Sequence, residues 1–125
     1  MEDAKGLLAR IRDVADTRGV YGLDAYLFVL EALDRVGQSR QETKHVSGED
    51  LLEGIKQLGR ERYGVMATDV FNEWRVRETL DFGRIVFHLV EAGLLSRREE
   101  DSLSDFLDKF EFKQVFEREY FMGRA

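Results

Sequence analysis

The chain contains neither cysteine nor proline. Without a thiol there is no disulfide framework, no thiolate metal site and no thiol nucleophile. Without proline, helix ends have to be set by glycine and by capping side chains. Histidine occurs only at His45 and His88. A di-metal carboxylate bundle needs two Glu-x-x-His pairs and further glutamates. This chain offers one pair in the reverse order, His88 to Glu91. His45 sits in a polar stretch and reads as solvated, and His88 reads as a helix residue without a ligand role. No Gly-x-Ser-x-Gly elbow occurs, and the glycines stand singly instead of forming a phosphate-cradling loop. No apolar run approaches the roughly 20 residues needed to cross a bilayer. The charged start, Met1 to Lys5, has no signal-peptide core. The expectation is a cytoplasmic protein that carries no metal or cofactor and is not an enzyme.

Positive charge is also in short supply. Lysine and arginine total 19 against 25 aspartates and glutamates, a net charge of -6 and a pI near 5.0. Such a chain repels polyanions, which argues against generic nucleic-acid or acidic-membrane binding. The charge is uneven. Residues 1–55 carry 7 basic and 11 acidic side chains, residues 99–125 carry 4 and 8, and residues 56–98 carry 8 and 6. The cations of this middle segment are nearly all arginine, whose planar fork suits interfaces.

What the chain does have is enough apolar material, 43%, for one core, and a length of 125 residues that fits one domain. Leu7, Leu8, Ile11, Val14 and Ala15 recur at helical spacing and predict a helix over 3–17. Arg18 to Gly22 breaks it. A second helix, 25–36, is capped by Asp24 and is apolar almost all round, which belongs in the centre of a fold. Residues 37–46 are polar and aperiodic and predict a flexible loop. Ser47 then caps a third helix, with Asp50 completing a capping box and Val46 and Leu51 placed as a staple. Gly64 ends it. A short fourth helix, 66–74, leads through the turn Arg75 to Glu78 into a fifth over 80–92, capped by Thr79 and stopped at Gly93.

Beyond Gly93 the pattern changes. Leu94 to Arg97 reads as a short strand, Arg98 to Ser102 as a charged tip, and Leu103 to Leu107 as a returning strand. Phe106, Phe110, Phe112, Phe116 and Tyr120 follow, the last three at intervals of four. They read as a segment that seals the core, or one that docks on another subunit. Short helix, turn, longer helix and hairpin is the order of a winged helix. Its outer reading face would show Asp81, Arg84, His88 and Glu91, and its tip Glu99, Glu100 and Asp101, a poor surface for phosphates and base edges. Trp74 is the only tryptophan. It reads either as core or as an interface anchor beside Arg75 and Arg77.

Several blocks resemble a small conserved-hypothetical bacterial family. They are Tyr26 to Leu33, His45 to Gly48, Leu51 to Ile55, Asn72 to Trp74, Asp81 to Gly83, Ile85 to Phe87 and Leu89 to Leu95, with the later run Glu99 to Ser102, Asp105 and Phe106, and Phe112 to Phe116. The resemblance spans about 20–120 and implies a free-standing bacterial cytosolic protein of one domain. That family has no assigned activity, so no catalytic residue is carried over. A glycine follows the tryptophan in the family, where Arg75 stands here.

The combined expectation is a mainly α single domain, 1–125, of about five helices with a winged-helix-like core and a small C-terminal β-hairpin. Its expected function is protein–protein interaction, as an adaptor or regulatory module, with an unidentified protein partner or a second copy of itself and without a membrane. Trp74, Arg75, Arg77, Arg84, Phe116 and Tyr120 are the candidate interaction residues. Nucleic-acid binding through the winged-helix-like centre is the alternative, and an enzyme with an acidic pocket comes third.

Overall fold

A computed structural model describes residues 4–39, 46–95, 106 and 108–119. These residues form five α-helices: α1 (Ala4–Arg18), α2 (Leu23–Ser39), α3 (Gly48–Tyr63), α4 (Ala67–Glu73) and α5 (Thr79–Glu91). A 3-10 turn, Gly64–Met66, joins α3 to α4, and a π-helical turn, Gln114–Arg118, lies in the C-terminal segment. The near-continuous apolar surface of α2 is used on several sides, since it packs against α1, α3 and α5. Ala25, Tyr26, Val29 and Ala32 are fully buried there.

The start of α3 follows its sequence signal. Ser47 Oγ accepts from the Asp50 N–H at 3.1 Å, and the Asp50 carboxylate accepts from the Ser47 N–H at 3.3 Å. Gly64, at φ 55°, ends the helix. Part of the segment expected as a loop is ordered. Gly37 and Gln38 continue α2 to Ser39, and Val46 is buried in the core, while residues 40–45 lie outside the described residues.

The start of α5 differs from the expectation. Glu78, not Thr79, is the extended N-cap residue. Its own N–H and that of Arg77 both donate to Asp81 Oδ2, at 3.2 and 2.8 Å. Thr79 is fully buried one position later. Its hydroxyl donates to the Phe106 carbonyl and accepts from the Lys109 N–H at 3.2 Å. A hydroxyl engaged with a distant segment is not free to cap its own helix.

The winged-helix-like core and the C-terminal β-hairpin are not supported. No strand occurs among the described residues. The expected first strand fails at its outset, because the N–H groups of Leu94 and Leu95 both donate to the Leu89 carbonyl, at 2.9 and 3.3 Å. The chain therefore folds back over the end of α5 instead of extending. The tip and most of the returning strand lie outside the described residues. The helical face that would read DNA is also partly covered, since Asp81 and His88 meet Tyr21 and Tyr26, while Arg84 and Glu91 stay exposed.

The C-terminal segment packs on its own chain. Phe106, Phe112 and Phe116 are buried. Glycines make room for two of these rings. A Cβ at Gly83 would lie 2.8 Å from the Phe106 ring, and one at Gly59 would lie 3.1 Å from that of Phe116. Arg60 adds a hydrogen bond to the Val115 carbonyl at 3.3 Å and an ion pair with Glu119 at 2.7 Å.

Helices α4 and α5 end in the same way, but with different residues. At the end of α5, Gly93 is left-handed at φ 77° and donates to the Val90 carbonyl, and Leu94 donates to that of Leu89. At the end of α4, Arg75 is left-handed at φ 68° and donates to the Asn72 carbonyl at 2.9 Å, and Val76 donates to that of Phe71 at 2.9 Å. Both are Schellman closures, which favour glycine at the left-handed position. A side chain there costs about 1 kcal/mol. Arg75→Gly is therefore expected to raise stability by about 1 kcal/mol and Gly93→Ala to lower it by a similar amount. Urea denaturation should show shifts in midpoint with unchanged slope. A neutral or destabilising Arg75→Gly would mean that the arginine side chain compensates.

Candidate functional site

Trp74 closes α4 and stands where two tendencies meet. Its ring joins the aromatic core, with centroids 5.3 Å from Phe28, 5.5 Å from Phe71 and 5.9 Å from Tyr63. Yet the residue is only half-buried. Its carbonyl accepts the Gly22 N–H at 3.3 Å, which ties the turn after α4 to the start of α2. The exposed side of the indole lines an open groove of about 510 Å³ between α2, the end of α3 and α4. Leu27, Phe28, Tyr63 and Val70 contribute the rest of its apolar lining, and Asp24, Glu31 and Arg62 its charges.

The α2 side of the groove is one helical stripe, Asp24, Leu27, Phe28 and Glu31, at offsets of three, four and seven. Its two carboxylates lie about 10 Å apart along the axis at 1.5 Å per residue. Glu31 is occupied from within. Arg62 Nη1 donates to its Oε1 at 2.6 Å, and Nη2 donates to Oε2. This paired guanidinium holds the Glu31 carboxyl below the usual carboxylate range, with Arg35 adding to the effect. Asp24 is exposed, and no cation pairs with it among the described residues.

No family model, curated protein or solved structure matches the chain. Among the described residues no group of three or more histidines or carboxylates could hold a metal ion.

The structure separates the residues that the sequence put together. Arg75 is exposed. Arg77 lines a different groove, of about 310 Å³, with Glu78 and Phe112. Arg84 is half-exposed, and its Nη1 donates to Asp81 Oδ1 at 3.1 Å. Phe116 is fully buried among Phe71, Phe110 and Phe112, so its ring is part of the core and offers no exposed anchor. Tyr120 lies outside the described residues. Asp24, Glu31, Arg62 and Tyr63 are not among the interaction residues expected from the sequence; Asp24 is expected there as the cap of the second helix, but α2 begins at Leu23 and Asp24 lies within its first turn. The available signal was the acid at each end of the stripe on α2, which its otherwise apolar surface obscured.

A second polar cluster lies where α5 meets α1 and α2. The Tyr21 hydroxyl donates to Asp81 Oδ1 at 2.5 Å. Burial and that bond push the Tyr21 hydroxyl far above its ordinary range. Asp81 thus accepts from two backbone amides, a tyrosine and an arginine, which satisfies a carboxylate that is 7% exposed. Such a saturated group is a structural tie. Two turns along α5, the Tyr26 hydroxyl and His88 Nδ1 share a hydrogen bond at 2.8 Å. Burial pushes the Tyr26 hydroxyl up to about 12. His88 also borders a small hollow with Asp13, Arg18 and Glu91.

Burial, then the charges of Arg18 and Arg84, hold His88 below the ordinary imidazole value of 6.5. The unfolded chain then takes up a proton near pH 6.5 that the folded chain still refuses. Stability present above that pH is therefore lost as pH falls from about 6.5 towards the lowered folded value. His88→Gln should show a smaller loss of unfolding free energy between pH 7 and 5 than the parent chain. Parallel pH profiles for the two would contradict a depressed His88.

Proposed function

We propose that this chain is a non-enzymatic protein–protein interaction module, an adaptor or regulator, and that the Trp74 groove is its binding surface. The observation that carries the reading is the state of the indole. It is held by three rings of the core yet keeps one side open in a groove. Interface energy concentrates in a few such residues, tryptophan foremost among them. An anchor that is already immobile loses little conformational freedom when a partner arrives. The remaining polar cluster supports the same reading, because the Tyr21–Asp81–Arg84 contacts are used up in holding α5 to the start of α2. The proposal includes a bacterial, cytoplasmic setting, supported by the family resemblance. No helix among the described residues is long and apolar enough to cross a membrane.

The test is affinity capture by the tagged protein from lysate of its own host, with and without nuclease, using Trp74→Ala and Arg77→Ala beside the parent chain. A stoichiometric protein partner is expected to survive nuclease. It should bind at least about 30-fold more weakly to Trp74→Ala, as loss of a hot spot of about 2 kcal/mol requires. Arg77→Ala, which alters a different groove, should bind normally. Equal capture by Trp74→Ala, or partners that vanish with nuclease, would contradict the proposal.

A further inference from the structure

We infer that the Trp74 groove receives a cationic segment of its partner, with an arginine or lysine side chain lodged between the Trp74 indole and the Asp24 carboxylate. This rests on the interaction-module reading and specifies the chemistry of the occupant. The first ground is charge complementarity. Glu31 and Arg62 neutralise each other in the groove's lining, which leaves Asp24 as its one uncompensated charge among the described residues, beside an apolar floor in a chain of net charge -6. Such a field steers cations inward and rejects acidic segments.

The second ground is the groove's own precedent. At one end Glu31 already holds a guanidinium bidentately, that of Arg62, beside the Tyr63 ring. At the other end Asp24 lines the same groove as Trp74, and among the described residues no cation pairs with it. The backbone bond from Gly22 to the Trp74 carbonyl ties Trp74 to the start of α2, two residues before Asp24. A cation there would gain a carboxylate partner and an indole face, the ring that binds cations best. The apolar residues flanking it in the partner would meet Leu27 and Val70. The one cation in the groove's lining, Arg62, is neutralised by Glu31, and neither Arg75 nor Arg77 is part of that lining.

Trp74 is the only tryptophan, so its fluorescence reports on this groove alone. The probes are a blocked peptide of alternating leucine and arginine and its counterpart of alternating leucine and glutamate. The arginine peptide should shift the Trp74 emission saturably, and the glutamate peptide should not. Asp24→Asn, close in shape to the parent residue, should weaken the arginine peptide about tenfold. Asp34→Asn, a similar loss of charge elsewhere on α2, should leave binding unchanged. Circular dichroism of each variant verifies the fold, and Asp24→Glu should restore binding if Asp24→Asn disturbs the helix start. Equal response to both peptides, no response to either, or an Asp24→Asn variant that binds normally would overturn the inference. So would concentration-dependent self-association that fills the groove and is lost in Trp74→Ala, which would make a second copy the occupant. If the captured partner depends on Trp74 but ignores Asp24→Asn, this inference fails while the interaction-module reading stands. If no partner depends on Trp74, that reading is the one that fails.

Discussion

Phe71 is the residue at which α2, α4, α5 and the C-terminal segment meet. Its ring is fully buried and lies within 5.5 Å, centroid to centroid, of Phe28, Phe82, Phe112, Phe116 and Trp74. Those partners come from α2, α5, the C-terminal segment and the end of α4 itself. Each ring pair contributes about 0.5–1.5 kcal/mol beyond area burial. Truncation of such a buried ring costs about 3–5 kcal/mol in proteins generally. A chain without disulfides or metal ligands of cysteine relies on this packing. The seven-residue α4 owes its place to the rings it carries, because a helix that short has little stability of its own.

The site follows from the same packing. Phe71 fixes α4, the left-handed Arg75 and the Val76 amide close it, and Trp74 is left at the closure with one side in the core and the other in the groove. The residue cannot retreat, because its carbonyl is held by Gly22 and its ring by Phe28 and Tyr63. Polar groups reinforce the geometry from the opposite side. Asp81 gathers the start of α5 and Tyr21, which anchors the α1–α2 connection one residue before Gly22. Packing and hydrogen bonding thus converge on the same short stretch, Tyr21 to Asp24, from two directions.

Much of this was legible in the sequence where the signal is local. The Ser47 and Asp50 cap, the ends at Gly64 and Gly93 and the central position of α2 all come from spacing and side-chain chemistry within a few residues. What was not legible depends on contacts across the chain. Thr79 has the chemistry of a helix cap, but Phe106 and Lys109 claim its hydroxyl from the far end of the chain. Tyr21 and Asp81 lie sixty positions apart with nothing in their neighbourhoods to announce the pair. The hairpin reading failed because leucines after a helix-ending glycine fit both a strand and a chain folded back on its helix, and only the amide bonds to Leu89 distinguish them. Trp74, Arg75 and Arg77 are adjacent in sequence but do not share one surface. A left-handed residue at 75 turns the chain and sends Trp74 and Arg77 to different grooves.

The central claim is that Trp74 is both rigid and reachable, and its fluorescence can test the two properties together. Time-resolved anisotropy should decay with the tumbling of the whole molecule, without a fast local component, while acrylamide quenches the indole to an intermediate degree. Fast local depolarisation would contradict the claim by showing a loose surface ring. An indole that acrylamide cannot reach would contradict it by placing Trp74 wholly in the core, with no groove for a partner to enter.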